Sequence, residues 1–267
     1  MKKFLTLILT LVLALGACFG LTACNKKTVT VGYTEVVGLN YTDENGKLVG
    51  FDTELAEKVF GDLGYEIRFK LINWDNKYTE VNSGTIDVIW NGFTANCADK
   101  DGIQRSEKVD FSYNYMMNAQ AIIKKATSPE LTDLSQLDGT SVAFESGSAA
   151  ETLLSEIQDA NINDKPCASQ LDAIREVNSG TAQYAIVDFL LAKSIAGKGD
   201  YAGIAINEAI ELPIEYYAIG FKKGSDLTAK VNEKLVEYAE SGFLAQLAEK
   251  YGYSNQIITD YSDQINK

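Results

Sequence analysis

Histidine is absent from this chain of 267 residues. Its absence excludes serine–histidine and cysteine–histidine nucleophile pairs and histidine metal sites, and it removes the commonest acid–base catalyst near neutral pH. Proline is scarce, with three residues against 21 glycines, which suits short strand–helix connections and no long disordered linker. Basic residues (24) are outnumbered by acidic residues (37), so the formal charge is −13. Because no basic stripe runs along the chain, nucleic acid is not expected as a partner.

The N-terminus has the features of a bacterial export leader, expected over residues 1–23. Two lysines follow Met1, and Phe4 to Leu15 is an apolar run that only two threonines interrupt. The sequence L-T-A-C ending at Cys24 then matches the pattern at which lipoproteins are cleaved and acylated on cysteine. L-G-A-C ending at Cys18 also fits, and we favour Cys24 because apolar character ends there. A retained membrane helix over Phe4 to Ala23 is the alternative.

Strands and helices alternate in the first part of the mature chain, an order that indicates a parallel sheet covered by helices. Strands are expected at Val29 to Tyr33, Glu66 to Leu71 and Ile86 to Trp90, and helices at Thr53 to Leu63 and Asn76 to Asn82.

A second series of alternating elements begins at Ser141. Strands are expected at Ser141 to Phe144 and Gln183 to Val187, and helices at Ser148 to Gln158, Leu171 to Asn178 and Phe189 to Ile195. The chain then returns through Tyr216 to Phe221 into two amphipathic helices, with apolar residues from Leu227 to Ala239 and from Phe243 to Tyr251. The tail from Ser254 to Lys267 has few apolar anchors and is expected to be partly mobile.

The segment from Thr85 to Ser112 carries the most specific chemistry. It offers backbone carbonyls at Asn91 and Gly92, a hydroxyl at Thr94 and a guanidinium at Arg105. Oxygen atoms can hold an ammonium group, and a guanidinium forms paired hydrogen bonds with a carboxylate. This set suits an amino-acid zwitterion, although a surface arginine in a charged loop is the alternative for Arg105.

Three further residues are candidates, each with a structural alternative. Ser148 opens a helix after a strand and a glycine, where free N–H groups suit an anion, but S-A-A-E from Ser148 to Glu151 is also a capping box. Asp188 ends a strand and opens a helix, where it could simply be an N-cap. Trp74 follows a strand and could be an ordinary core residue.

These motifs resemble the polar amino-acid-binding proteins of bacterial ABC importers. The family pattern is close to I-D-x-I-x-x-G-x-T-x-T-x-x-R-x-x-x-V-x-F-S. Three more stretches follow the family's order: D-E-N-G-K-L-V-G-F-D (Asp43 to Asp52), N-S-G-T-I-D (Asn82 to Asp87) and L-D-G-T-S-V-A-F-E-S-G-S (Leu137 to Ser148). The likeness covers essentially the whole mature chain. The family places its arginine five residues after the threonine and this chain eleven, so we interpret Asn96 to Gly102 as a loop insertion.

The resemblance implies an α/β fold of two lobes, each a mixed sheet flanked by helices, joined by two hinge crossings near Asn118 to Ala121 and Tyr216 to Ala218. Lobe 1 would comprise residues 24–118 and 217–267, and lobe 2 residues 119–216. Cys97 and Cys167 would then lie on different lobes. A disulfide between them would lock the cleft, so we expect two free thiols and, with so few ligands, neither a metal site nor a cofactor.

The resemblance also assigns roles within the cleft. Lobe 1 would hold the zwitterion through Arg105, Thr94 and the carbonyls of Asn91 and Gly92. Lobe 2 would complete the cage with Ser148, the amide of Ala149, and Asp188, which would face the ammonium group. Trp74 would lie against the ligand side chain.

Several positions depart from the family. Tyr33 stands where the family has an acidic residue, Val36 where it has an aromatic wall, and Ala149 where it has a second hydroxyl. Glu145 falls at a specificity position and adds a negative charge, which favours a ligand with a cationic or amide side chain.

The function implied is that of a binding protein, not an enzyme: a monomeric, lipid-anchored protein on the outer face of the membrane that captures a free L-amino acid and delivers it to an ABC permease. One alternative is a sensory or adhesive lipoprotein with the same cage and no permease. Another is a dehydratase of small cyclic carboxylates on the same fold, for which Glu145 is the one suggestive extra carboxylate.

Overall fold

The computed structural model describes residues 27–157 and 161–265, so the leader and the predicted lipidation site at Cys24 lie outside the described residues. Within those two ranges, no helix combines the length and apolar character needed to span a bilayer.

Thirteen strands are present in the described ranges, several of them only two residues long. They are β1 Thr28–Tyr33, β2 Tyr41–Thr42, β3 Leu48–Val49, β4 Glu66–Leu71, β5 Val88–Ile89, β6 Asp110–Phe111, β7 Met116–Lys125, β8 Ser141–Glu145, β9 Asn163–Cys167, β10 Tyr184–Asp188, β11 Ile204–Ile206, β12 Ile214–Tyr217 and β13 Gly220–Phe221.

Nine α-helices of the same ranges cover the sheets. They are α1 Phe51–Asp62, α2 Lys77–Ser83, α3 Arg105–Lys108, α4 Ala149–Glu156, α5 Gln170–Ser179, α6 Phe189–Ile195, α7 Asp226–Glu240, α8 Phe243–Tyr251 and α9 Ser262–Ile265. Short 3-10 turns lie at Trp74–Asn76, Leu134–Leu137 and Gly199–Tyr201.

The strands form two main sheets, one for each lobe. In lobe 1 the order is β4-β1-β5-β13-β6, with β1 parallel to β4 and β5, and β13 antiparallel to β5 and β6. In lobe 2 the order is β11-β7-β10-β8-β9, with β7 antiparallel to β10 and β11, and the others parallel. Both sheets are mixed. The sheet of lobe 1 is not fully parallel as expected, because the returning strand β13 inserts in the antiparallel direction between β5 and β6.

Strands β7 and β12 connect the two lobes. They run antiparallel, with Tyr217 opposite Met116 and Ile214 opposite Ala119. After this pair, β7 continues into the sheet of lobe 2, while the chain after β12 enters lobe 1 at β13. The proposed lobe boundaries at residues 118/119 and 216/217 fall inside this pair.

Hydrophobic periodicity correctly predicted the helix α1. The predicted stripe of Leu55, Ala56, Val59 and Phe60 is fully buried, with hydrophilic positions between its members turned outward. The strand predicted at Ile86 to Trp90 is shorter than expected, because only Val88 and Ile89 pair with neighbours.

The prediction of a partly mobile tail is wrong for its described part. Tyr261 is 4 % exposed and stacks on Tyr113 with ring centroids 5.7 Å apart. The amide of Met117 donates to the carbonyl of Gln256 (2.7 Å), so the tail is bonded to the start of β7. Ile257 and Ile258 pack against the core, and the side chain of Gln264 is hydrogen-bonded to the main chain of Asn114. These scattered contacts form no apolar stripe that the sequence pattern could indicate.

Candidate functional site

Arg105 is a buried residue rather than a surface arginine, with 1 % of its area exposed. It is the first residue of α3, and its Nη1 donates to the carbonyl of Thr94 (3.1 Å). Its guanidinium carbon lies 5.3 Å from the centroid of the Phe93 ring. The main-chain contact and the ring fix the orientation of the guanidinium, so that its fork is presented in one direction.

The inserted loop supplies the carboxylate that pairs with Arg105. Asp99 accepts from Arg105 Nε (3.0 Å) and from Lys108 Nζ (2.8 Å). The loop is closed by a main-chain bond from the Asp99 amide to Ile103 and by the left-handed Gly102. Sequence reasoning identified the insertion but assigned Asp99 no role, because spacing alone cannot show that the loop folds back on the arginine.

One small cavity between the lobes brings together nine of the eleven predicted ligand-binding residues, with Gln170 in addition. Its lining is Trp74, Asn91, Gly92, Thr94, Arg105, Glu145, Ser148, Ala149, Gln170 and Asp188. The space open to the centre of a water-sized sphere is about 10 Å³, close to what one water requires. The lobes are therefore closed, and they must separate before an amino acid can enter.

Tyr33 and Val36 are not brought to this cavity. The ring of Tyr33 packs edge-on against Phe69 on the outer side of β1, 6.2 Å away, and Val36 is buried in the apolar core of lobe 1. Thr34 faces the cleft side instead, since its hydroxyl donates to the side chain of Asn91 (2.6 Å). Successive residues of a strand point to opposite faces. An error of one position in aligning this strand with the family pattern therefore places a side chain on the wrong face of the strand.

Asn91 and Gly92 form the turn after β5. The Asn91 amide is fully engaged within lobe 1, since its oxygen accepts from Thr34 and its nitrogen donates to the Thr34 carbonyl and to Asn40 (both 2.8 Å). Gly92 has φ +57°, and a Cβ there would lie 2.9 Å from Leu39 and 3.0 Å from Tyr217. The hydrogen bonds of the Asn91 side chain and the lack of a side chain at Gly92 thus fix the backbone of this turn. This agrees with the prediction that the main-chain carbonyls of the two residues, and not their side chains, face the ligand.

Ser148 is the N-cap of α4, as predicted, and its hydroxyl accepts from the Glu151 amide (3.4 Å). The second half of the predicted capping box differs, because the Glu151 carboxylate accepts from the amide of Gly147 (2.8 Å). The eight-residue helix α4 thus begins at the cavity, where Ala149 is its first residue.

Asp188 does not cap the helix that it precedes, since its side chain makes no capping bond to α6. Its Oδ2 accepts from Gln170 (2.6 Å), and its Oδ1 accepts from Gln120 (2.8 Å) and Asn118 (3.1 Å). Burial raises the pKa of Asp188, and the amide donors of Gln170 and Gln120 oppose that rise. The carboxylate is directed into the cleft and held by three amides, which disfavours the purely structural interpretation.

Glu145 lines the same cavity and is 2 % exposed. Its Oε1 is buried without a hydrogen-bond partner. Burial, together with the nearby carboxylate of Asp188, raises the pKa of Glu145 to about 8. A buried polar oxygen without a partner is costly, so this oxygen favours a polar ligand side chain, and a cation placed beside Glu145 would favour its ionised, accepting form.

Lys77 was missed by sequence reasoning, which placed it in a helix from Asn76 to Asn82 and assigned it no role. Its ammonium group is buried (1 % exposed) and donates across the cleft to the carbonyl of Gly147 (2.8 Å). Burial and the neighbouring Arg105 lower the pKa of Lys77 to about 7. Arg105 Nη2 approaches the same carbonyl at 3.4 Å, so two cations of lobe 1 face one turn of lobe 2.

Cys97 and Cys167 are free thiols in the structure, each half-buried. Among the described residues, no group of three or more cysteine, aspartate or glutamate side chains is arranged to hold a metal ion.

The family model for bacterial extracellular solute-binding proteins, family 3, matches residues 29–254. The chain belongs to this family. It is similar to the arginine-binding extracellular protein ArtP of Bacillus subtilis (strain 168), with 29% identity over 94% of this chain and 98% of that protein. It is also similar to the L-cystine-binding protein TcyJ of Escherichia coli (strain K12), with 27% identity over 79% of this chain and 77% of that protein.

Solved structures of the family have the same fold. An ancestral arginine-binding protein bound to arginine matches with a TM-score of 0.77 and 30% identity, over 85% of this chain and 98% of that one. A substrate-binding protein of an ABC uptake transporter from Streptococcus pneumoniae with bound histidine matches with a TM-score of 0.74 and 26% identity, over 84% and 92%. An ancestral amino acid-binding protein described as a precursor of cyclohexadienyl dehydratase matches with a TM-score of 0.73 and 25% identity, over 84% and 95%.

Proposed function

We propose that this protein captures a free polar L-amino acid in the cleft between its lobes and delivers it to an ABC permease. The observation that carries the proposal is the lining of the closed cavity. Arg105 of lobe 1 and Asp188 of lobe 2, buried groups of opposite charge, line the same small space. An amino-acid zwitterion has the complementary pair of charges, and desolvated charge pairs of this kind are sensitive to the loss of either member.

Each end of the ligand has its own partners in this proposal. The ligand carboxylate binds the guanidinium of Arg105 and the amide of Ala149 at the start of α4. The ligand ammonium group binds the carboxylate of Asp188 and the hydroxyl of Thr94, with the carbonyls of Asn91 and Gly92 nearby. Trp74 lies against the ligand side chain. Because these groups are divided between the lobes, the ligand stabilises the closed state, which is the form that the permease recognises.

The ligand side chain is cationic or carries an amide in this proposal. The partnerless Oε1 of Glu145 supports it, because guanidinium, ammonium and amide groups all donate hydrogen bonds, whereas a carboxylate side chain does not. The names of the relatives, which include binding proteins for arginine and for cystine, agree with a polar ligand.

The protein acts outside the cell membrane as a monomer held by a lipid on Cys24, without catalysis or a cofactor. The leader and its L-T-A-C sequence support export and acylation. Metabolic labelling with a palmitate analogue tests the anchor, since Cys24→Ser should abolish the label and Cys18→Ser should leave it.

A thermal-shift screen of the mature protein against all common amino acids and several cyclic carboxylates tests the function. A ligand that binds only the folded state raises the melting temperature by mass action. We expect a rise with one or a few amino acids that is lost in Arg105→Ala and in Asp188→Ala. A rise with cyclic carboxylates alone, followed by their conversion to product, would establish the dehydratase alternative and refute the transport proposal.

Delivery is tested separately from binding. Deletion of the cognate permease should abolish uptake of the identified amino acid while the purified binding protein keeps its affinity. If uptake is unchanged in every permease deletion, the sensory alternative replaces delivery.

A further inference from the structure

Glu215 lies in the hinge and touches residues of both lobes. It belongs to β12, directly opposite Asn118 of β7. Its Oε2 accepts three hydrogen bonds: from the Thr94 hydroxyl (3.1 Å), from Asn118 Nδ2 (3.1 Å) and from Gln120 Nε2 (2.9 Å). One carboxylate oxygen thus joins a ligand-contacting residue of lobe 1 to the strand that enters lobe 2.

The two amides that bind Glu215 also bind Asp188. Asn118 Nδ2 lies 3.1 Å and Gln120 Nε2 lies 2.8 Å from Asp188 Oδ1. The buried carboxylate of Asp188 and the half-buried carboxylate of Glu215 therefore share two amide donors. No lysine or arginine lies within ion-pair distance of either among the described residues. Such a pair of neighbouring negative groups is relieved by a cation placed beside it.

The bond from Thr94 to Glu215 decides how the Thr94 hydroxyl meets a ligand. A hydroxyl has one hydrogen to donate and two lone pairs that accept. With its hydrogen directed at Glu215, Thr94 offers only lone pairs to the cavity that it lines. An ammonium group needs acceptors, so this orientation matches it, whereas a hydroxyl hydrogen pointing into the cavity would oppose it.

We infer that Glu215 is a positioning residue for the ligand's ammonium group, because it orients Thr94 as an acceptor and, through Asn118 and Gln120, holds Asp188 in place. The inference rests on the proposed function, since it assigns a further residue to the same amino-acid site. It also explains why a carboxylate is half-buried in the hinge, where an apolar residue would avoid the cost of partial desolvation. Glu215 thereby makes the site discriminate between an amino acid and the same molecule without its amino group.

The test compares ligands that differ only in the amino group. L-Arginine is paired with 5-guanidinopentanoic acid, and L-glutamine with 4-carbamoylbutanoic acid. Affinities for the mature wild type and for Glu215→Gln are measured by titration calorimetry, with ligand-observed NMR at millimolar concentration for weak binders. We expect Glu215→Gln to weaken binding of the amino acid by about 10- to 100-fold, as for the loss of a hydrogen-bonded charge. Binding of the matching compound without the amino group should weaken by less than about 3-fold.

Two further variants separate positioning from a general effect on the hinge. Glu211→Gln makes the same change of charge at an exposed carboxylate four residues earlier, and it should leave both affinities unchanged. In the Glu215→Leu background, Thr94→Val should weaken amino-acid binding less than it does in the wild type, because no oxygen at residue 215 then orients the hydroxyl.

Three outcomes would overturn the inference. Equal losses for both members of a pair would mean that Glu215 only stabilises the hinge, and no loss for either would mean that it has no part in binding. Fully independent effects of Thr94→Val and Glu215→Leu would remove the link between the two residues. If the wild type binds no amino acid at all, the proposed function itself fails first, which the calorimetry of the unmutated protein shows directly.

Discussion

The ammonium group of Lys77 in lobe 1 lies 2.8 Å from the carbonyl oxygen of Gly147 in lobe 2. The hydrogen bond crosses the cleft beside Arg105, which approaches the same oxygen at 3.4 Å. No carboxylate lies within ion-pair distance of Lys77 among the described residues. The direct contacts of this desolvated cation are main-chain oxygens and aromatic rings, while the carboxylates of Asp99, Glu145 and Asp75 act on it from beyond ion-pair distance.

Replacing Lys77 by methionine should raise the free energy of unfolding by about 1–3 kcal/mol at pH 6.5, because a side chain of similar length then fills the site without a buried charge. The effect should depend on pH. The pKa of Lys77 is about 7 in the folded state, against the ordinary lysine value of 10.5 in the unfolded state. The stability that this group contributes is therefore complete above pH 10.5 and is lost as the pH falls through 7. The gain from Lys77→Met should thus be larger at pH 6.5 than at pH 9.5 in urea unfolding.

The matched control for that measurement is Lys222→Met, which removes the charge of an exposed lysine. Its effect on the free energy of unfolding should be within about 0.5 kcal/mol at both pH values. A loss of stability in Lys77→Met at pH 6.5 would show that the cross-cleft hydrogen bond outweighs the desolvation of the charge.

Glu145→Gln should flatten the pH dependence of stability in the unliganded protein. The pKa of Glu145 is raised from 4.5 to about 8, so the folded state binds more protons than the unfolded state between these values. The stability that this group contributes is complete below pH 4.5 and is lost as the pH rises through 8. In urea unfolding, the free energy of unfolding of the wild type should fall between pH 5 and pH 8. The fall should be smaller by about 1–3 kcal/mol in Glu145→Gln.

The pKa values of Asp188 and Glu215 are also raised, and Asp188 interacts with Glu145. The comparison therefore reports the titration of Glu145 together with its coupling to Asp188. Glu35→Gln serves as the control, because Glu35 is an exposed carboxylate near the cleft rim. Parallel pH profiles for the wild type and Glu145→Gln would contradict the assignment of the titrating group.

The outline of the site could be predicted from sequence because its main residues follow strands. Thr94, Ser148 and Asp188 come after strands whose apolar residues are buried on both faces, and the chain order of those strands brings their ends to one cleft. Strand β7 was predicted only as a crossing, since Asn118 and Gln120 interrupt its apolar character. Those two amides form hydrogen bonds with Asp188 and Glu215 because β7 pairs with β10 and β12. No local sequence pattern reveals that pairing.

Gly92→Ala should destabilise the protein strongly. The residue has φ +57°, and an added Cβ would lie 2.9 Å from the side chain of Leu39 and 3.0 Å from the ring of Tyr217. Both the backbone strain and the overlap reduce stability, and we expect the free energy of unfolding to fall by about 2–4 kcal/mol in urea.

Gly102→Ala isolates the first of these two effects. Gly102 also has a positive φ (+77°), but a Cβ there meets nothing within 4 Å. Its cost should be only about 1 kcal/mol. Equal losses at the two positions would mean that close packing around Gly92 contributes nothing.

Asp99→Asn should destabilise the protein far more than Asp101→Asn, although both residues belong to the inserted loop. Asp99 pairs with the buried Arg105 (3.0 Å) and with Lys108 (2.8 Å), whereas the exposed Asp101 pairs with Lys108 alone (3.0 Å). Loss of the carboxylate at residue 99 leaves a buried guanidinium uncompensated, so the free energy of unfolding should fall by about 3–5 kcal/mol at pH 7. The change at residue 101 should have little effect, because exposed ion pairs contribute little to stability.

The pH dependence of the same pair provides an independent check. Burial raises the pKa of Asp99, but Lys108 and Arg105 outweigh that effect and hold the pKa below its ordinary value of 3.8. A lowered carboxyl pKa gives stability that is present above pH 3.8 and is lost as the pH falls through the lower folded-state value. The difference between the wild type and Asp99→Asn should therefore shrink in acid. A difference that stayed constant down to pH 3 would mean that the loop acts through its shape, and that the ion pair with Arg105 is not what the insertion adds to the site.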